Sequence, residues 1–222
     1  MKFAVLETST EWCSVALWTD GEIRGLEERA GSRHGELVLP MLARLAASAG
    51  VAIAALEAVA FGAGPGSFTG LRIACGVAQG LAFARGLPLI GISTLEAIAE
   101  ESGAERVVAC LDARMHEVYY SALEKNAGRW RETIAAQCVA PALAQLPPGA
   151  GWTGCGNGIE AYRDAFKGRF STMQADIHPS AMAIARLAAP RLAAGEGVDA
   201  ALAAPVYLRD KVAFTSAERK LR

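Results

Sequence analysis

The residues best suited to chemistry are the glycines of the stretch 62–72, Gly-Ala-Gly-Pro-Gly-Ser-Phe-Thr-Gly-Leu-Arg, which follows an apolar run at 59–61 and opens a long helical pattern. In a strand-to-helix turn, glycines permit φ > 0 and close backbone approach, and Ser67 can cap a helix whose first N–H groups lack partners. Such an end attracts anions. Gly64, Gly66, Ser67, Thr69 and Gly70 are therefore candidates for a structural turn or an anion site. Two nucleotide signatures fail here. A Walker A loop needs a lysine beside its final Ser or Thr, and 62–72 has none; the dinucleotide fingerprint read from Gly64 has Thr69 where its third glycine belongs. A tight turn with a satisfied cap stays open beside anion or partner binding.

Hydrolytic or metal chemistry has a thin supply of groups. The only histidines are His34, His116 and His178. His116-Glu117 begins like the H-E-x-x-H zinc motif, but Tyr120 takes the second ligand position. No G-x-S-x-G elbow surrounds any serine, and no Cys–His pair stands out. Cys13, Cys75, Cys110, Cys138 and Cys155 are odd in number and show no C-x-x-C spacing, as expected of reduced, mostly buried thiols.

The elements that must position these residues read as α/β. Strands are predicted over 3–6, 13–18 and 23–28, the last two joined by Thr19-Asp20-Gly21. A helix is predicted over 34–49 and stops at Gly50. The strand at 59–61, the helix at 67–84 and the strand at 87–92 form a crossover unit, expected to be right-handed, with another helix from 94. After Gly103 the pattern restarts, with strands at 107–111 and 118–123, a polar turn at 124–129 and helices at 159–166 and 181–194. Two β-first halves suggest a duplicated architecture, with a first lobe over 1–103, a second over 104–207, and 208–222 a candidate to complete the first.

Gly70, Ala74, Ala78 and Ala82 form an i, i+4 row of small residues that would let another helix come close, and Leu37, Met41 and Leu45 form a row on the preceding helix. Both rows admit core packing or an intersubunit helix pair. An arginine at Ala74 is expected to abolish such a pair while sparing the fold. The chain of 222 residues carries a net charge of −1, so tight nucleic-acid binding by this chain alone is not expected. Arg209, Lys211, Arg219, Lys220 and Arg222 read as a solvated tail, with a share in a composite basic surface as the alternative. The N-terminus enters a strand pattern interrupted by Glu7 and lacks a signal-peptide h-region, and 71–92 is broken by Arg72, Gln79, Arg85 and Pro88; a cytoplasmic protein without a membrane span is expected.

Five motifs together resemble the TsaB (YeaZ) family: Leu6-Glu-Thr-Ser-Thr10, Arg33-His-Gly-Glu36 with Leu39-Pro40, Gly64-Pro-Gly-Ser-Phe-Thr-Gly-Leu-Arg72, Leu111-Asp-Ala-Arg114 and Pro205-Val-Tyr-Leu-Arg-Asp-Lys-Val212. The resemblance spans the chain. It implies a two-lobed fold of the actin-like ATPase, sugar kinase and Hsp70 type, each lobe a mixed sheet with helices. It also implies a role in making N6-threonylcarbamoyladenosine in ANN-decoding tRNAs, as the non-catalytic dimerization partner of TsaD, joined by the ATPase TsaE. A homodimer is expected when TsaD is absent, and tRNA is expected to meet the chain only through the complex.

Active members of that fold surround nucleotide phosphates with a glycine-containing hairpin opening each lobe and aim an acid at magnesium. By that comparison Glu7 replaces the first acid, Ser9 stands where glycine is usual, and Asp112 is followed by the bulky Ala113-Arg114-Met115. Glu7, Ser9 and Asp112 then mark a degenerate nucleotide site, with no cofactor on this chain and ATP and magnesium left to the complex. Gly154-Cys-Gly-Asn-Gly158 resembles a remnant adenosine loop or an ordinary turn. No second histidine follows His34, so the paired-His metal helix of TsaD is not expected here. The partner contacts expected are Leu37, Met41, Leu45, Gly70, Ala74 and Ala78. The alternative is an ATP-dependent kinase or transferase with Glu7 and Asp112 as magnesium-side acids; a peptidase has the least support.

Overall fold

The computed structural model describes residues 1–209. Its first sheet is built from β1 (Lys2–Glu7), β2 (Trp12–Thr19), β3 (Glu22–Arg29), β4 (Ala58–Gly64) and β5 (Leu89–Ser93), in the order β3-β2-β1-β4-β5. The meander β1–β3 is antiparallel, its second turn made by Asp20 and Gly21 at φ 49 and 102, whereas β1, β4 and β5 run parallel. β1 and β4 are apolar on both faces because helices cover both. α1 (His34–Ala49) and α2 (Phe68–Phe83) close one side over Leu6, Val15 and Phe61; Gly50 ends α1 in the left-handed conformation that glycine tolerates.

The second sheet holds β6 (Arg106–Arg114), β7 (Glu117–Asn126), β8 (Arg129–Val139), β9 (Thr153–Cys155) and β10 (Thr172–Gln174). Taken from the β8 edge, its order β8-β7-β6-β9-β10 repeats that of the first sheet, with the same antiparallel meander and the same parallel pair. The duplicated, two-lobed architecture expected from the sequence is therefore present. α3 (Thr94–Ser102) packs Leu95, Ile98 and Ala99 on the second sheet while touching β4 and β5 of the first. α4 (Asn157–Ala161) and α5 (Arg163–Phe166) cover the far face of the second sheet.

Three expectations are corrected. The second lobe does not run to 207: α6 (Ala181–Ala193) lays Ala181, Ile184, Ala185 and Ala188 on Phe3, Val5 and Ala60 of the first sheet, and Val198 exchanges backbone hydrogen bonds with Leu89. Without α6 one face of the first sheet would be bare, and that apolar area is what draws the chain back. The helix predicted over 159–166 breaks at Tyr162, whose φ of −126 is not helical. Finally, 129–139, given no element by the sequence reading, is a strand; it lies at the sheet edge with no residue fully buried, and its polar residues at 129, 131–133 and 137 break up the apolar run that marks a buried strand.

Of the segment 208–222 offered as completing the first lobe, Leu208 packs in the second-lobe core and Arg209 bonds the second lobe. Lys211, Arg219, Lys220 and Arg222 lie outside the described residues.

Candidate functional site

The β1–β2 turn, the 65–70 turn, the start of α1 and the β6–β7 hairpin line a cavity of about 580 Å³ between the lobes. Ser9 and Asp112 are among the residues that line it, from opposite lobes. Glu7 does not. It is fully buried beneath Ser9, packed so closely on Gly62 that a Cβ there would overlap its Oε2. Its Oε1 accepts from the Ser9 N–H, its Oε2 has no partner, and burial pushes its pKa up to about 7. Asp112 is also committed: its Oδ1 accepts from the Arg114 N–H (2.8 Å) and the Tyr162 hydroxyl (3.2 Å), and its Oδ2 pairs with Arg114 at 3.1 Å. A magnesium-bound nucleotide does not fit this acid pair, one member being enclosed in the core and the other held by a cation.

The second hairpin keeps a backbone that glycine would fit although it contains none. Arg114, Met115 and His116 take φ of 60, 58 and 62, in the left-handed region. Gly156 and Gly158 press against the Cys110 backbone, and Asn157 accepts the Asp112 N–H at 2.9 Å. The Gly/Asn cluster thus braces the hairpin.

Close approach by the chain itself explains the glycines of 64–70. A Cβ on Gly70 would overlap the Thr8 carbonyl, and one on Gly66 would lie 2.7 Å from the Ser9 oxygen. Thr8 Oγ1 donates to the Gly70 carbonyl at 2.7 Å, and the Ser67 N–H donates to the Ser9 carbonyl at 2.7 Å. Ser67 caps α2 by accepting from the Gly70 N–H at 3.4 Å, while Thr69 is exposed on the cavity side. Gly64 has φ 112 and sits under the Val206 carbonyl.

The expected contact rows face inward. Ala74 and Ala78 have no exposed surface, Gly70 is buried, and Met41 and Leu45 are 3 % exposed; only Leu37 is half-buried. Their small size serves packing of α2 on the first sheet, and an arginine at Ala74 would enter the core. The outer face of α2 carries instead Arg72, Gly76, Gly80 and Phe83, with Ile73 and Val77 half-buried; that of α1 carries Leu39, Pro40, Ala43 and Ala47. Beyond the adjoining residues and backbone of α2 itself, no atom lies within 4 Å of where a Cβ would stand on Gly76 or Gly80.

Arg209 is no tail residue. Its guanidinium donates to the Ala113 carbonyl (3.0 Å), the Arg114 carbonyl (3.3 Å) and the Glu117 carboxylate. The apolar run Val206-Tyr-Leu ahead of Arg209 was the sequence sign that this segment packs on the protein: Tyr207 bonds Arg72 of the first lobe, and Leu208 joins the second-lobe core. His178 stacks on Trp12 and bonds Glu27 at 2.8 Å. Among the described residues no group of three His, Cys, Asp or Glu is placed to hold a metal. Burial pushes the thiols of Cys13 and Cys155 up to about 11 and 12, and that of Cys110 higher still. No described helix is long and apolar enough to cross a membrane.

A family model described as TsaD, tRNA N6-adenosine threonylcarbamoyltransferase, matches residues 27–217. The chain is 37 % identical to the tRNA threonylcarbamoyladenosine biosynthesis protein TsaB of Escherichia coli over 96 % of its length and 97 % of the relative's. It is 39 % identical to the protein of the same name from Haemophilus influenzae, over 94 % of each. The solved structure of YeaZ from Pseudomonas aeruginosa superposes with a TM-score of 0.89 at 42 % identity, covering 93 % of this chain and 99 % of that one.

Proposed function

This chain belongs to the TsaB (YeaZ) family, within the wider family that the TsaD model describes, and from that premise we propose that it is a non-catalytic subunit for threonylcarbamoyladenosine synthesis on tRNA. In this reading it binds and supports TsaD, with TsaE joining the pair, and a second copy occupies the same face when TsaD is absent. tRNA reaches it only through the complex. The observation that carries the reading is identity of 37–39 % along nearly the whole chain to proteins named for this pathway.

The face proposed for the partner is the outer side of α1 and α2. Gly76 and Gly80 leave open space into which a second helix can settle, and the 47 % exposed Leu39 offers it apolar area. The kinase alternative loses support because its first acid, Glu7, is enclosed in the core.

The test is threonylcarbamoyladenosine formation on tRNA by purified TsaD and TsaE supplied with threonylcarbamoyl-adenylate. Product is expected only when this chain is added. Equal product without it overturns the accessory role.

A further inference from the structure

We propose that residues 206–209 couple the partner face of α2 to the β6–β7 hairpin, so that a protein seated on that face latches a strained turn in the other lobe. The coupling rests on the partner reading above; the latch itself belongs to this chain alone. Four residues make the crossing. Tyr207 is held by the first lobe: its ring lies 5.6 Å from that of Phe68, its hydroxyl accepts from Arg72 Nε at 3.0 Å, and Arg72 Cζ stands 3.7 Å from the Phe68 ring centre. Leu208 packs in the second-lobe core, and Arg209 donates to the Ala113 and Arg114 carbonyls and the Glu117 carboxylate. Tyr207 and Arg209 are separated by about 7 Å of extended chain, so a shift of one is passed to the other.

The hairpin gives this latch something to hold. Arg114, Met115 and His116 stand in succession at φ of 60, 58 and 62, a conformation that side-chain-bearing residues rarely take and keep only where their surroundings impose it. Arg209 imposes it directly, since its two carbonyl acceptors are the residue before this run and the first residue within it. Released from Arg209, the run can relax toward the negative φ these residues prefer. The other end of the strap lies beside the proposed interface. Phe68, Arg72, Gly76 and Gly80 form one i, i+4 row on α2, and Phe68 and Tyr207 remain 39 % and 45 % exposed. A helix settled over Gly76 and Gly80 continues onto the Arg72 stack, excludes water from it and so fixes Tyr207. What the partner adds to the latch, the latch returns to the partner's affinity.

The experiment follows amide exchange of the full chain at Asp112 and Arg114, whose N–H groups donate to Asn157 at 2.9 Å and to Asp112 at 2.8 Å. In the free chain Arg72→Ala should quicken both amides at least about fivefold while β1 and β4 stay slow, although Arg72 stands in the other lobe. Adding His116→Gly at this exposed position of φ 62 should cancel most of that gain, because glycine takes the conformation without strain. Saturating TsaD should slow the same amides at least about fivefold in the unaltered chain and much less in Arg72→Ala. Hairpin exchange unmoved by Arg72→Ala, or quickened only together with β1 and β4, overturns the latch. Exchange unmoved by bound TsaD overturns the coupling, as does protection that persists undiminished in Arg72→Ala, which would mean that TsaD covers the hairpin itself. Calorimetry on the same samples separates these outcomes from a failure of TsaD to bind, which overturns the partner reading and the coupling with it and leaves the latch to be decided by Arg72→Ala.

Discussion

Glu7 is a carboxylate shut off from bulk solvent and held only by Ser9, and the fold carries that as a pH-dependent cost. Burial raises its pKa from the ordinary 4.5 to about 7, so between these values the folded chain holds a proton that the unfolded chain has released. Its contribution to stability is therefore most favourable below pH 4.5, falls as pH rises, and is fully lost above pH 7. The difference approaches about 3 kcal/mol. Glu7→Gln keeps the acceptor for the Ser9 N–H and removes the charge. We expect it to raise the melting temperature at pH 8 and to leave it nearly unchanged at pH 4.5. Equal effects at both values would mean that Glu7 ionises as an ordinary glutamate.

Helix α2 is small on both faces, and the two small faces do different things. Ala74 and Ala78 let the helix lie close on its own sheet, whereas Gly76 and Gly80 leave its outer surface flat. Ala74→Arg would bury an unpaired charge and should destabilise the chain by more than about 3 kcal/mol, read as loss of the cooperative melt. Gly76→Arg meets open space at a helical position that any residue can take. It should preserve the melting temperature and weaken association with TsaD at least about tenfold, measured by calorimetry. Unchanged affinity in Gly76→Arg would move the partner to another face. The same distinction explains why 64–70 was legible as a special turn but not as a packing device. Glycine type and spacing mark close approach, yet Thr8 and Ser9, which make the approach, lie about 60 residues away in sequence.

At the scale of the whole molecule, the chain makes two copies of one sheet topology and then crosses back over the cavity between them. α6 returns to the first sheet; Val206 then donates to the Ala63 carbonyl, Tyr207 bonds Arg72, and Arg209 clasps the second hairpin. Arg209→Ala removes donors from two carbonyls and a carboxylate, at a cost of about 1–3 kcal/mol. Amide exchange across 112–117 should then quicken by at least tenfold while exchange in β1 and β4 stays slow; uniform acceleration would mean that Arg209 supports global stability instead. By itself the sequence determined the first meander, the exact span of α1, the cap and course of α2, and the duplicated plan, because alternation, helical periodicity and glycine punctuation are local signals. It also carried the family, through motifs set in a fixed order. Only the tertiary structure decided which face of each amphipathic row is covered, that Glu7 points into the core, and that α6 and Arg209 serve opposite lobes. Those outcomes depend on surfaces brought together from distant parts of the chain, and burial belongs to the pair of surfaces that meet rather than to either segment alone.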